Sequence, residues 1–323
     1  MTDNLSPPPQ PPCQVACVGI LVADLFAPPL PRLPAAGELL KVEDFLLTTG
    51  GCAANTGMDL ARLGVSTTVI GKVGEDSFGD FVVGDLARHG LDTRGIRRST
   101  QGTSRTVILP VVGEDRRYIH AVGANGDFTA ADIDRQQVLA SQVFYVGGYM
   151  LLPHLEAGSL AGLFTAARQA GVKTVLDVAG VTQPAWEELS QLLPHVDVFL
   201  PNHDEACILT GETDPVRQAA VLLDLGAGVA GITLGGAGAY VCTRTEAIRA
   251  GAYTVDVVDP SGGGDAFDAG FIVGMLEGWG LAPTVEFASA AGALACTALG
   301  CTAGLRTRAE TLEFVRSQPS ILH

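Results

Sequence analysis

The sequence predicts an α/β fold: a three-layer α/β/α sandwich with a mostly parallel central sheet and a small antiparallel β lid. Three observations predict it. Short β-branched runs (QVFYVGG, KTVLDV, VDVFLPN, GITLGG) alternate with helix-like segments, the rhythm of βαβ units. These runs are continuously apolar, as strands covered on both faces are. Two stretches, about 25–47 and 103–121, break the rhythm and read as hairpin-like pieces of a lid. No composition break marks a second domain, so residues 14–323 form one domain behind a disordered Pro-rich tail over 1–13.

In order, VACVGILVAD is the first strand, ending at Asp24, and a Pro-rich stretch and KVEDFLLTTGG follow. AANTGMDLARL (53–63) is a helix closed by Gly64 at a C′ position. STTVIGKVG is a strand, and DSFGDFVVGDLARHG a helix ended by Gly90. RTVILPVV, the turn GED and RRYIHAVG form a hairpin, with Arg105 a solvated arginine at its edge. After the alternating units, YTVDVVD reads as a strand and AFDAGFIVGMLEGW as a helix.

Composition narrows the function. Of 323 residues 47% are apolar, enough for a large core, and the formal charge of −15 argues against a nucleic-acid partner. A nucleotide ligand is compatible with that charge, because backbone N–H groups can hold phosphates. Seven cysteines without a CxxC pair read as reduced thiols, and the six histidines have no ligand spacing. The start MTDNLSPPPQPPC lacks the pattern of a signal peptide, and no run reaches ~18 uninterrupted apolar residues. The expectation is a cytoplasmic protein without a membrane partner.

The chemistry concentrates in DPSGGGDAFDAGF (259–271). Gly262, Gly263 and Gly264 stand at a strand-to-helix junction, where open N–H groups and the helix dipole favour an anion. Asp265 follows in the first helical turn, either a helix cap or a carboxylate aimed at a hydroxyl beside a phosphoryl donor. In TTGGCAANTGMDLARLG (48–64), Gly50 and Gly51 precede Asn55; the turn is either structural or a contact for a hydroxylated ligand. Asn202 and Glu205 in PNHDEACILTG have capping-box spacing, which on its own favours a helix cap.

These motifs resemble those of the ribokinase-like (PfkB) carbohydrate kinases. DPSGGGDAFDAGF is similar to their C-terminal signature D-T-x-G-A-G-D-x-F, and TTGGCAANTGMDLARLG to their N-terminal one, in the expected order. The likeness covers nearly the whole chain after the tail and implies a ribokinase-like fold and ATP-dependent phosphorylation of a sugar hydroxymethyl group. It implies Asp265 as catalytic base and Gly262, Gly263 and Gly264 as the anion hole. It assigns Asp24, Gly50, Gly51 and Asn55 to substrate. Asn202, Thr233, Gly235 and Gly238 (T-x-G-x-x-G) fall to the nucleotide, with 289–300 facing adenine and Glu205 holding Mg2+ through water. Asp259 and Ser261 stand where some members ligate a monovalent cation, K+, although Gly304 replaces a serine common in the later loop. A homodimer through the lid is the implied assembly.

Departures bear on the substrate. Val22 replaces an asparagine of ribokinases proper, and Cys52-Ala53 replaces Lys-Gly, which argues against a sugar phosphate. YVGGYM (145–150) lacks an acidic residue, and its glycine pair beside Tyr149 leaves room for a bulkier ligand. A sugar, a polyol or a nucleoside fits. The rivals are a non-catalytic sugar- or nucleotide-binding regulator and a dinucleotide enzyme; for the latter no GxGxxG follows the first strand.

Overall fold

The computed structural model describes residues 13–114 and 117–323, so the tail read over 1–13 lies, up to residue 12, outside the described residues. Among the described residues the strands are β1 (Val15–Gly19), β2 (Val22–Phe26), β3 (Leu46–Gly50), β4 (Thr67–Gly74), β5 (Asp92–Ser99), β6 (Arg105–Leu109), β7 (Arg117–Ala121), β8 (Val143–Gly147), β9 (Lys173–Leu176), β10 (Val198–Phe199), β11 (Val229–Thr233), β12 (Ala239–Cys242) and β13 (Ala247–Ala250). The α-helices are α1 (Cys52–Arg62), α2 (Ser77–Arg88), α3 (Arg135–Leu139), α4 (Ala157–Gln169), α5 (Trp186–Leu192), α6 (His203–Thr210), α7 (Pro215–Asp224), α8 (Gly263–Leu276), α9 (Leu281–Ala295) and α10 (Arg308–Ser317).

Nine strands form the large sheet in the order β13-β12-β11-β10-β9-β8-β1-β4-β5. It is parallel from β5 to β11, and β12 and β13 close it as an antiparallel edge. β1 shows why its strands are continuously apolar: Ala16 and Val18 pack into one core, Val15 and Cys17 into the other. The first core holds α4 to α7, through residues such as Phe164, Leu189 and Leu222. The second holds α8 and α9, through Phe267, Phe271 and Phe287. α8 and α9 approach closely because Gly270 leaves no side chain over Ala288; an added Cβ there would meet its Cα at 2.7 Å.

The four-stranded second sheet runs β3-β2-β6-β7. Its outer pairs are antiparallel, and its central pair β2–β6 is parallel. β7 is exposed along its whole length.

Two sequence expectations change. VACVGILVAD is two strands in different sheets, with the break after Gly19. There Asn125 bonds both the N–H and the C=O of Leu21, which turns the chain out of the large sheet. Asp24 therefore lies inside β2, between Thr48 and Thr106, instead of ending a strand of the parallel sheet. YTVDVVD forms no strand. β13 already occupies the sheet edge, and Val257 and Val258 are exposed, so the period-2 pattern that suggested a strand had no sheet face to fill. The glycine turn is thus a loop-to-helix junction.

The helix boundaries agree with their stop signals. Gly64 and Gly90 follow α1 and α2 with φ of +83° and +84°, the left-handed conformation glycine adopts without a Cβ clash. None of the seven cysteines is in a disulfide. Among the described residues no helix is long and apolar enough to cross a membrane.

Candidate active site

Two helix starts meet over the C-terminal ends of β1 and β8. α1 begins after Gly51, whose φ of +94° and close approach to Ile20 O (an added Cβ would lie 2.4 Å away) both require glycine. Asn55, in the first turn of α1, donates from Nδ2 to Asp265 Oδ2 at 2.8 Å across to the first turn of α8. Its own Oδ1 is buried and has no donor. Gly50 packs against Asp24 so tightly that an added Cβ would sit 1.8 Å from Asp24 Oδ2. Asp24, Gly50, Gly51, Asn55 and Asp265 are thereby brought together.

The electrostatics are one-sided. Asp24 is buried and its carboxyl is pushed up to about 6, by lost solvation and then by Asp265, against a hydrogen bond from Thr106. Asp265 is also raised by lost solvation, partly offset by Asn55 and Cys52. Asp177, at the end of β9, is raised well above the usual carboxylate range by burial and then by Glu205 and Asp265, and Asp268, one turn along α8, by burial and then by Asp177 and Asp265. Tyr145 donates to Asp268 Oδ2 at 3.0 Å, and Thr56 donates to Tyr145 Oη at 3.1 Å. That buried chain ties α1 to α8 beneath Asp265.

On the other side of α8 lies a cavity of about 240 Å³, lined among others by Thr233, Gly235, Gly238, Gly263, Gly264 and Ser289. α8 follows Gly262 with no side-chain cap; Gly263 N–H makes only a long 3.5 Å bond to Pro260 O, so this helix start is suited to an anion. The three glycines differ in their reasons. Gly262 has φ +75° and presses on Cys301 O, and Gly263 faces Cys296 Sγ at 3.0 Å from an added Cβ. Gly264 has nothing within 4 Å, so the fold supplies no steric reason for it.

Asn202 and Glu205 form the reciprocal capping box of α6: Glu205 N–H donates to Asn202 Oδ1 at 2.9 Å, and Asn202 N–H to Glu205 Oε2 at 3.0 Å. Glu205 nevertheless faces the site. Its carboxyl is pushed up to about 7 by lost solvation and by Asp265, against the hydrogen bonds of Asn202. Asn202 also bridges Thr233 of the neighbouring strand. Asp259 accepts from Ser261 N–H and Gly300 N–H, both at 3.0 Å, and so joins the loops before α8 and after α9. Arg105 lies with its guanidinium over the Phe78 ring, 5.3 Å from the centroid.

Some site residues were not legible beforehand. Tyr253, Val255 and Val257 line the cavity from the segment read as a strand. Asp177 sits beside Cys52 and Asp265; a carboxylate directly after a buried parallel strand was its only signal. Segment 289–300 reaches the cavity through Ser289, Gly292, Ala293 and Cys296.

Residues 13–308 match the model of the pfkB family carbohydrate kinases. Ribokinase of Haemophilus influenzae is 31% identical over 88% of the chain and 93% of its own length. The 2-dehydro-3-deoxygluconokinase of Bacillus subtilis is 30% identical over 88% and 92%. Arabidopsis thaliana ribokinase, solved with ribose and ATP, superposes with a TM-score of 0.82 at 26% identity, over 95% of the chain and 99% of that structure. Two relatives of different substrate match about equally, so overall identity does not select the sugar.

Proposed function

The chain belongs to the pfkB family of carbohydrate kinases, and on that premise we propose that it transfers the terminal phosphoryl group of ATP to a hydroxymethyl group of a sugar or related polyol. The observation that carries the reading is the Asn55–Asp265 contact, 2.8 Å long, at the junction of the two glycine turns. It sets a carboxylate with a raised proton affinity in the first turn of a helix without a side-chain cap. Asp265 then takes the proton of the attacking hydroxyl, and the N–H groups at Gly262, Gly263 and Gly264 receive the charge on the transferred group.

Asp24 and Asn55 orient the sugar in this reading. The buried, unpaired Oδ1 of Asn55 can accept a ligand hydroxyl. Thr233, Gly235 and Gly238 border the cavity that would take the nucleotide. Glu205 would help to hold Mg2+ through water, because its capping bond uses only one carboxylate oxygen, and the bound ion would supply charge neutralisation at the ATP phosphates. A monovalent cation beside Asp259 and Ser261 belongs to the same proposal, checked by comparing turnover in potassium and tetramethylammonium chloride.

The small sheet would act as a lid that excludes water on closure. Phe45, Leu46 and Ile119 leave its surface apolar and exposed, which supports a lid-to-lid homodimer. Light scattering of the protein and of Ile119→Asp tests that: a monomer in both ends the dimer proposal.

The deciding experiment is a coupled ADP-release assay with ATP and Mg2+ against pentoses, hexoses, keto-sugars and nucleosides, with Asp265→Asn in parallel. A hit lost in the variant supports the kinase and names its substrate. A hit among nucleosides alone replaces the sugar by a nucleoside. ATP binding with silence across the panel favours a non-catalytic regulator.

A further inference from the structure

Cys52 has no role in the phosphoryl-transfer reading, yet it sits at the centre of the site. Its Sγ and one oxygen each of Asp177 and Asp265 lie within 4.8 Å of one another. Three separate elements deliver them: the start of α1, the end of β9 and the start of α8. Asp177 is 8% exposed, with one oxygen accepting from Gly148 N–H at 3.2 Å. Asn55, 4% exposed, completes the wall with an Oδ1 that has no donor. Among the described residues no Lys, Arg or His hydrogen-bonds or ion-pairs with any of the three. A thiol and two carboxylates therefore converge with no cation among them.

We propose that Cys52, Asp177 and Asp265 form a binding site for a thiophilic divalent cation of the zinc and cadmium class, whose occupancy blocks the acceptor oxygen of Asp265. Binding itself stands on the cluster; the block of turnover rests on the proposed role of Asp265. Zinc bonds sulfur at ~2.3 Å and oxygen at ~2.0–2.2 Å, so tetrahedral ligand atoms lie roughly 3.5 Å apart. Drawing the three atoms together by about an ångström through side-chain rotation closes the site and leaves the fourth position to water. Thiolate selects soft ions over Mg2+, so the nucleotide's magnesium does not compete.

The step conserves electrons. The Cys52 S–H bond breaks, an S–metal bond forms, and the proton leaves to solvent. Affinity rises about tenfold per pH unit for one proton released. The groups facing the thiol are Asp265, Asp177, Glu205, Asp268 and the Tyr145 phenol; the carboxylates oppose a bare thiolate and favour one that carries a cation.

The test uses the full chain with cadmium alone, reading the ultraviolet cadmium–thiolate band. A Cys207→Ser background removes the thiol that lies 3.6 Å from His203 Nε2. One equivalent is expected to bind there, with affinity lowered on the order of a hundredfold or more by Cys52→Ser, more than loss of an outer-shell partner causes. An unchanged titration in Cys52→Ser, or no binding in the background protein, overturns the site. A second measurement needs no variant: peptide mapping after alkylation, where zinc must slow labelling of Cys52 and leave Cys13 unaffected. Equal labelling with and without zinc also overturns it. Metal binding in a protein that turns over no substrate would keep the site and sink the kinase reading. Turnover without metal binding would do the reverse.

Discussion

The two glycine turns look alike as sequence and differ in what fills the space beside them. At Gly50-Gly51 the protein itself fills it: Asp24 Oδ2 stands 1.8 Å from a would-be Cβ on Gly50, and Ile20 O stands 2.4 Å from one on Gly51. At Gly262 and Gly263 the protein again closes in, but at Gly264 the space is open. The first turn lets two strands and a helix pack around a buried carboxylate. The second, in its last glycine, keeps a helix start bare. The room that the fold leaves unfilled thus separates the two motifs, and the candidate site lies where the packed turn meets the bare one, at Asn55 and Asp265.

The largest effect falls at that meeting point. Asp265→Asn keeps a hydrogen-bonding side chain opposite Asn55 and removes the proposed proton acceptor. We expect kcat to drop by roughly two to four powers of ten, the worth of a positioned acid–base group, with Tm nearly unchanged. In the unaltered protein kcat/KM is expected to fall on the acid side at a pH above the ordinary carboxylate range, because burial raises Asp265. Near-normal turnover in Asp265→Asn removes it as base and leaves two turns that merely pack.

The packed turn makes its own prediction through Asp24, whose carboxyl rises from 3.8 to about 6 on folding. Between those values the folded chain holds a proton that the unfolded chain has lost. The contribution of Asp24 to stability is full below about pH 4, is lost as pH rises through about 6, and is gone above it. A rise of that size corresponds to ~3 kcal/mol. Asp24→Asn is therefore expected to be more stable than the parent at pH 8 by up to that amount and equal to it near pH 4. Thermal melts at the two pH values decide, and an advantage confined to low pH would mean that Asp24 is stabilised as a charge.

These contrasts explain which parts of the molecule were legible in the sequence. The parallel sheet was readable because strands such as β1 and β8 must be apolar on both faces, a demand local to each strand. Gly64 and Gly90 were readable because a helix stop is written beside the helix it stops. The break after Gly19 was not, since it depends on Asn125, about a hundred residues later, which holds both polar groups of Leu21. YTVDVVD misled because alternation reports a half-buried surface, and here that surface borders a cavity. Asp265 and Asn55 were each legible from their motifs, whereas Asp177 and Cys52 became part of the site only through the fold.

A smaller effect tests the packed half. Gly50→Ala must displace either β3 or the Asp24 carboxyl, and overpacking of this kind costs about 1–3 kcal/mol. For a chain of this size ~1 kcal/mol lowers Tm by roughly 2–4 °C. A melt within a degree of the parent would show that Asp24 swings away freely, and the first turn would then be open like the second.

Gly264→Ala should give the smallest change in stability and the most informative one. Gly264 lies in the first turn of α8, outside the left-handed region, with open space at its Cβ. Alanine there restricts the unfolded chain and favours the helix, so the folded state is expected to gain about 0.4–1 kcal/mol. The same methyl would project from the bare helix start beside the cavity, where the proposed reading brings a phosphate to the N–H groups, so the KM for ATP should rise or kcat should fall while the melt improves. Stability and turnover moving in opposite directions is the mark of a glycine kept for a ligand. If both improved, or turnover stayed level, the space beside Gly264 would be incidental and the anion hole would have to be drawn from Gly262 and Gly263 alone.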